Sequence, residues 1–422
     1  MPSPPNIAIV GAGPSGCTLA RLLLNASIPV TIYESDASLT TRQQGGTLDL
    51  HVPSGQLALK KCGLYEEFVK YARYDGEALA VMDKNCVAYI QIGGADAKSS
   101  RGRPEIDRPQ LREILVNSLP EGTIRWGTKI RAVKEGEKSG RMEIHLGDGT
   151  VERDYDLIVG ADGAWSKVRP VLSDAKPYFV GLGGIGSNIY NAEKEVPELY
   201  KLANRGSIFS SSDGRGLSVQ QMGDGSLNMY AWGVRDEDWM EKCGYDVHNG
   251  KEMKEMMRKE YADWKEPLYS AVEKADEPQI VARSLYQLPA DHRWEAKKGV
   301  TLIGDAAHVM TPFAGEGVNM AMTDAMELAD AIITSKRTGN WEHVMPQKVR
   351  AFELRMFKRA APISELSRQQ MLSLFFTEGA PRTIIDVWIR RALGGPHFDA
   401  WWLKLIAPLW LIRFLLRMFF KW

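Results

Sequence analysis

One stretch near the N-terminus, Asn6 to Glu34, leaves the chain little freedom in how it folds. Asn6-Ile-Ala-Ile-Val10 is a short apolar run that reads as a buried strand. Gly11-Ala-Gly13-Pro-Ser-Gly16 follows without a gap, and Cys17 to Ala26 then sets Leu19, Leu22 and Leu23 on one helical face. Pro29 to Tyr33 reads as a second strand, tipped by Glu34. Each piece has a physical reason. Gly11 permits a tight turn, Gly13 lets backbone approach a pyrophosphate, and Gly16 lets helix and strand pack closely. The helix N-terminus offers unpaired N–H groups and a partial positive charge to that pyrophosphate. Glu34 stands where it can accept hydrogen bonds from a ribose hydroxyl. The unit is read as a dinucleotide-binding fold, with NAD and FAD both open. A second glycine match, Gly181-Leu-Gly183-Gly-Ile-Gly186, has no amphipathic helix or acid-tipped strand after it and reads as an irregular strand and turn.

At 422 residues the chain has room for two or three domains of about 150 residues each. Lys plus Arg number 53, as do Asp plus Glu, so no global basic excess marks a nucleic-acid binder. A composition 44% hydrophobic and 25% charged excludes wholesale disorder and collagen-like repeats. Cys17, Cys62, Cys86 and Cys243 lie far apart with no zinc-ligand spacing. No metal site is expected, and a reducing, cytoplasmic compartment is the simplest reading. The first residues show no basic region or small-residue cleavage site, so no signal peptide is expected.

Two distant strand tips bear on the choice of cofactor. Lys298 to Ile303 is apolar and ends in Gly304-Asp305-Ala-Ala-His308, then Thr311-Pro312-Phe-Ala-Gly315-Glu-Gly317-Val318-Asn319. A small-residue helix is predicted from about Val318 to Ile333. An Asp at such a tip can bind a polyol hydroxyl, and a glycine-rich helix start can stabilise negative charge on a flavin ring. Plain helix capping by Asp305 is the alternative, but it explains neither the glycines nor Pro312. Tyr155 to Val159 is a further strand, ending in Gly160-Ala-Asp162-Gly163, with Ser166 to Arg169 opening a helix. On pattern alone Asp162-Gly163 is either a turn or a cofactor contact. Asp148-Gly149 reads as a simple hairpin turn.

The three motifs together resemble the single-component, class A FAD-dependent aromatic hydroxylases of the p-hydroxybenzoate hydroxylase type. Within that family the tetracycline-inactivating flavin monooxygenases are most similar. Gly45-Gly-Thr-Leu-Asp49-Leu-His51 and Pro104-Glu-Ile-Asp-Arg108-x-x-Leu-Arg112 add to the likeness, which spans about residues 6 to 370. The resemblance implies an α/β protein in three parts. A Rossmann-like FAD-binding domain would comprise residues 1–73, 101–176 and 289–340. An inserted sheet-based substrate domain would comprise 74–100 and 177–288, and a C-terminal helical region 341–422. Carried over by position, Gly11, Gly13 and Gly16 would hold the pyrophosphate and Glu34 the ribose. Arg108 would meet the phosphate and ribityl region, Asp162 the cofactor, and Asp305 the ribityl chain. Pro312, Gly315, Gly317, Val318 and Asn319 would line the isoalloxazine. Asp49 matches a flavin-near aspartate, and Arg42 an arginine that meets NADPH. Read on their own residues, Arg42 is equally a solvated charge and Asp49 a turn cap. His51 and His308 are read as packed or hydrogen-bonded structural histidines.

There are two departures. Ser35 stands where many relatives carry Arg after the strand-tip acid, and Gly183 to Ser211 lacks the polar residues that grip tetracycline, so tetracycline itself is not the expected substrate. The implied activity is a monooxygenase. NADPH reduces FAD, O2 forms a flavin C4a-hydroperoxide, and one oxygen atom passes to a hydrophobic aromatic or polycyclic small molecule. No second nucleotide-binding unit is present, which fits an NADPH that docks transiently. Leu217 to Met222 and Leu227 to Trp232 form a predicted hairpin around Gly223-Asp-Gly225. Gln220, Met222, Tyr230 and Trp232 are candidates to meet a flat ligand there, against plain sheet core. No catalytic base is named. A flavin reductase or dehydrogenase, and a non-enzymatic FAD-binding protein, are the competing functions.

Trp401 to Trp422 is rich in Trp, Leu and Phe, and Lys404, Arg413, Arg417 and Lys421 are its only charges. A spanning helix is interrupted by Pro408 and the arginines. An interfacial helix giving peripheral membrane contact, or packing on the protein body or a partner, suits the composition better.

Overall fold

The structure is a computed structural model and describes residues 3–41, 45–93, 102–136 and 141–385. Arg42 and the Trp401–Trp422 tail lie outside the described residues.

A five-stranded sheet carries the first motif. Its order is Val300–Leu302, Leu157–Gly160, Ile7–Val10, Val30–Tyr33 and Ile124–Arg125, and every pairing is parallel. Parallel strands are covered on both faces, and Ile7–Val10, Leu157–Gly160 and Val300–Leu302 are accordingly buried throughout. Ile7, Ile9, Leu23, Ile158 and Leu302 join one core with Leu328, Ile332 and Phe352 from the two long C-terminal helices. The first helix is Pro14–Asn25, and so begins before the expected Cys17. Proline is well suited to the first helical turn, where its missing N–H is not needed. Gly11 has φ +105°, and a Cβ there would lie 2.3 Å from the Ala161 carbonyl oxygen. A Cβ on Gly16 would lie 2.1 Å from the Gly11 carbonyl oxygen, so strand, turn and helix are locked by missing side chains.

A seven-stranded sheet forms the second layer. Its order is Val281–Gln287, Tyr178–Ile189, Leu227–Val234, Arg215–Gln221, Ser207–Ser212, Leu79–Met82 and Ala88–Ile92. Its back packs helices: Ile185, Leu217 and Met229 meet Met253, Met257, Leu268 and Val272. Its front carries Val180, Leu182 and Trp232 against Met371, Leu374 and Phe375. For Gly181–Gly186 the expected irregular strand forms, but the expected turn does not. The stretch lies inside one 12-residue strand, with a register shift between Phe179 and Gly183 and no turn. The reason is tertiary. A Cβ on Gly184 would lie 2.3 Å from the Trp232 ring and one on Gly186 2.5 Å from the Tyr230 ring, so these glycines make room for two aromatic rings.

Smaller elements complete the frame. Thr47–Asp49 pairs antiparallel with Glu105–Asp107. Asp148-Gly149 does turn a hairpin, with Gly149 at φ +92° and the Thr150 amide donating to Asp148 Oδ1 at 2.9 Å. Ser166 to Arg169 does not open an α-helix; only a short Arg169–Val171 turn forms. Pro170 would fall in the interior of that helix, where its ring clashes and its N–H is missing. The predicted 318–333 helix is longer, Gly317–Arg337, and antiparallel packing follows with Trp341–Phe376. No helix among the described residues is long and apolar enough to cross a membrane.

Candidate functional site

The three motifs meet at the C-terminal ends of adjacent parallel strands, where open α/β sheets place ligands. Gly11 abuts Ala161 and Asp162, and Gly304 sits against Ser15 of the first helix and Ala321 of the Gly317–Arg337 helix. Arg169 ties two of the loops: its guanidinium donates to the Ala306 carbonyl at 3.0 Å and the Ala164 carbonyl at 2.6 Å. A Cβ on Gly13 would meet nothing within 4 Å, so the helix start faces open space.

Glu34 is 8% exposed and largely engaged by protein. One of its oxygens accepts from the Ala12 amide at 2.8 Å, and the other from the Asp36 amide at 2.9 Å and the Ser35 hydroxyl at 3.1 Å. A carboxylate has about four acceptor positions, so roughly one remains for a ligand. Ser35 therefore steadies Glu34 rather than adding a new contact. Arg112 pairs with Asp36 at 2.9 Å beside it.

Asp162 accepts from the Lys167 amide at 2.6 Å through Oδ2, but its buried Oδ1 has no partner among the described residues. Burial raises its pKa, and the unpartnered Oδ1 is an acceptor position for a ligand hydroxyl. Asp305 is open to solvent-sized contact yet lies deep among protein atoms, as a residue on the wall of a recess does. Burial pushes its carboxyl up, while His308 and Arg108 pull it down. His308 is held below the recess. Its Nε2 lies 2.6 Å from Asp324 Oδ2, and Arg359 bonds the other oxygen of Asp324 at 2.8 Å.

Arg108 begins the Arg108–Asn117 helix, with its backbone amide donating to the Gly46 carbonyl at 3.1 Å. Burial lowers its pKa, and its electrostatic neighbours are Tyr230, Asp305, Arg283 and Glu105. Arg108 therefore feels both the large sheet, through Tyr230, and the Asp305 strand tip, and its Nε lies near Gly46, which abuts Gln220 and Asn228 of the sheet. The sheet contributes Tyr230 and Trp232, stacked at 5.2 Å and 12° over the glycine strip. Gln220 bonds the Thr47 hydroxyl at 3.3 Å and so links sheet to ribbon, while Met222 lies in the turn.

Beyond Asp305 the chain turns through Pro312–Ala314 and Gly315, at φ +68°, into the Gly317–Arg337 helix. A Cβ on Gly317 would meet nothing within 4 Å, and Pro312 is exposed. Val318 is half-buried against the main core. Asn319 is 1% exposed, and both ends of its amide are used. Its Oδ1 accepts from the His51 amide at 2.9 Å, the Ser54 hydroxyl at 3.0 Å and the Gly55 amide at 3.3 Å. Its Nδ2 donates to the Asp49 carbonyl at 2.9 Å. It shapes the Asp49–Gly55 segment beside the helix start. Asp49 Oδ2 lies 2.9 Å from His51 Nε2, and Glu316 lies 3.5 Å from the other ring nitrogen.

Sequence reasoning missed Glu105 and Arg283. Glu105 stands directly across the ribbon from Asp49 and accepts from the Thr47 hydroxyl. Burial pushes its carboxyl up to about 7. The Pro104-Glu105-Ile106-Asp107 run preceding Arg108 was the available signal. Arg283 carries no motif, and its placement depends on strand register alone.

These groups suit FAD: an open glycine loop at a helix start, an unsatisfied Asp162 oxygen, and an Asp305 carboxyl and Arg108 guanidinium on one wall. The sequence family described as "FAD binding domain" matches residues 5–341. The chain belongs to this FAD-binding family. Monooxygenase penA of Penicillium thymicola is 28% identical over 426 residues, covering 89% of this chain and 96% of the relative. Monooxygenase asqM of Emericella nidulans is 30% identical over 373 residues, covering 77% and 83%. A solved tetracycline destructase, Tet(51), shares the fold, with a TM-score of 0.66 at 18% identity over 93% of this chain and 97% of that one. With FAD as its cofactor, this family member is an FAD-dependent monooxygenase and therefore an oxidoreductase.

Proposed function

We propose that the enzyme uses NADPH and O2 to insert one oxygen atom into a hydrophobic aromatic or polycyclic small molecule. The observation that carries this reading is the stacked Tyr230–Trp232 pair on a glycine-cleared sheet face, with Tyr230 and Asp305 both within electrostatic reach of Arg108. The balance is substrate C–H plus O2, NADPH and a proton, giving C–OH, water and NADP⁺. Bound FAD supplies the redox chemistry. The chain's own residues bind it, orient the substrate and exclude water.

In this assignment Gly11, Gly13 and Gly16 hold the pyrophosphate at the helix start, and Glu34 offers its remaining acceptor to a ribose hydroxyl. Asp162 Oδ1 and Asp305 take hydroxyl donors, and Arg108 meets phosphate or ribityl oxygens. Pro312, Gly315, Gly317 and Val318 frame the ring, with Asn319 and Asp49 shaping the segment beside it. Residues 74–100 and 177–288 serve as the substrate domain. Tyr230, Leu285, Phe313 and Leu372 are the partly buried apolar groups bordering the front cluster, and they form the substrate wall.

The test is NADPH oxidation in air by the FAD-loaded protein, with and without a panel of phenols, indoles and polyketide-like aromatics. Stimulated oxidation, little hydrogen peroxide and a product heavier by one oxygen are expected. Reduction of the added compound with no oxygen gained would assign a reductase instead. No flavin reduction, even without oxygen, would assign a structural FAD.

A further inference from the structure

The described chain ends against the front of the large sheet. After the Trp341–Phe376 helix a short turn carries Ala380 and Ile384 into the cluster of Val180, Leu182, Trp232, Leu374 and Phe375. Three large apolar side chains stay exposed around this exit: Tyr178, Val234 and Phe376. Val234 is the register partner of Leu182, and the Phe376 ring covers Gly181, where a Cβ would lie 2.9 Å from it. Tyr178 begins that same strand, within electrostatic reach of Arg368, which pairs with Glu365. These side chains form one apolar rim where the chain leaves the body.

Residues 386–422 follow, outside the described ones, and their sequence is of one kind. Trp388, Trp401, Trp402, Trp410 and Trp422 are among the 12 tryptophans of the chain, and no acid follows Asp399. From Thr377 onward the seven Lys and Arg outnumber the three Asp and Glu, although the whole chain is balanced at 53 each. Positive charge therefore collects at this end, which favours a negative partner. Arg413, Arg417 and Lys421 are spaced by four, the spacing that sets side chains on one helical face, and the positions between them are apolar. Cations on one stripe with Trp, Phe and Leu elsewhere suit the plane of a bilayer interface. Rings rest at headgroup depth, aliphatic chains lie below, and cations meet anionic lipid. The same stripe, with Pro408, interrupts the roughly 20 apolar residues that a spanning segment needs.

We propose that Trp401–Trp422 and the rim of Tyr178, Val234 and Phe376 dock together on an anionic lipid surface, which makes this a peripheral membrane enzyme. The chain leaves beside the sheet face given above to a hydrophobic substrate, so docking brings that face near the phase in which such a substrate dissolves. The docking itself does not depend on the monooxygenase reading.

The test is co-sedimentation of the FAD-loaded full chain with phosphatidylcholine vesicles, with and without phosphatidylserine. Wild type should bind the anionic vesicles roughly hundredfold more tightly, since each surface cation adds about fivefold, and added salt should weaken that binding. The triple change Arg413→Gln, Arg417→Gln and Lys421→Gln should bring the two vesicle types close to parity. Val234→Asp and Phe376→Asp, made singly with FAD content and circular dichroism as folding controls, should each weaken anionic binding about fivefold or more. Either of them, once folded, tests the rim. No sedimentation with either vesicle, or an anionic preference that survives the triple change, overturns the proposal. Unchanged binding in a folded rim variant overturns the joint surface. Binding that alkaline carbonate does not release overturns it by showing insertion, and a tail protected from trypsin without vesicles and without vesicle binding shows packing on the protein instead. No step involves turnover, so failure here leaves the monooxygenase reading standing, and failure of that reading leaves the docking standing.

Discussion

Gly184→Ala isolates what the glycine strip does. The added methyl would sit 2.3, 2.6 and 2.9 Å from three atoms of the Trp232 ring, where ordinary carbon contacts are about 3.5–4.0 Å. Trp232 is 8% exposed, stacked on Tyr230 and packed under Phe375, so the ring cannot swing clear without disturbing both. Overpacking of this kind costs about 1–3 kcal/mol. Gly184 has a φ that any residue adopts, so alanine adds no backbone strain. Removing the ring should therefore reverse the sign. In a Trp232→Ala background the same Gly184→Ala change should stabilise by about 0.4–1 kcal/mol, through the lower entropy of the unfolded chain. The assay is urea unfolding followed by far-ultraviolet circular dichroism, with the Gly184→Ala difference taken within each background. A penalty of similar size in both backgrounds would refute the reasoning, because the clash would then not be with the ring.

Three further outcomes are expected. Asp305→Ala should weaken FAD binding roughly tenfold or more by loss of a charged hydrogen-bond acceptor, read by equilibrium dialysis, and unchanged affinity would remove Asp305 from the cofactor site. Asn319→Ala leaves the donors of His51, Ser54 and Gly55 and the Asp49 carbonyl without a partner, and should destabilise by about 2–4 kcal/mol in denaturant titration while loosening FAD. Glu105 has a folded-state pKa raised to about 7, so the native state holds its proton more tightly than the unfolded chain does. Its contribution is present at acid pH and is lost as pH rises through 7. Glu105→Gln should therefore melt above wild type at about pH 8 and close to it near pH 5; equal melting-temperature profiles would show that Glu105 stays ionised.

Much of the cofactor half was legible because its signals are local. A strand-turn-helix unit needs its glycines at set positions whatever else surrounds it, and Gly11 and Gly16 meet backbone within a few residues of themselves or at the next strand tip. The Leu217–Trp232 hairpin was legible for the same reason: alternation and a Gly-Asp-Gly turn act over a dozen residues. His308 bonded to Asp324 matches its reading as a structural histidine, although its partner, 16 residues on, was not named. The failures lie where a distant partner decides. Gly181 to Gly186 reads in one dimension as an irregular strand and turn, and the Trp232 and Tyr230 rings across the sheet explain why Gly184 and Gly186 suit an unbroken strand. A nearer cause, Pro170, keeps Ser166 to Arg169 from opening a helix.

The sequence by itself determined that the chain would build a parallel sheet with a dinucleotide-binding turn, acids at its strand tips and a glycine-rich helix start. Those features follow from backbone geometry and short-range periodicity. Tertiary structure alone decided what each polar group has left to offer. Asn319 is committed to a segment more than 260 residues away. Asp162 keeps one unsatisfied oxygen among the described residues, Glu105 is raised toward neutrality by burial, and strand register sets Arg283 beside Gly184. Desolvation and hydrogen-bond satisfaction depend on every neighbour at once, and those neighbours are brought together only by folding.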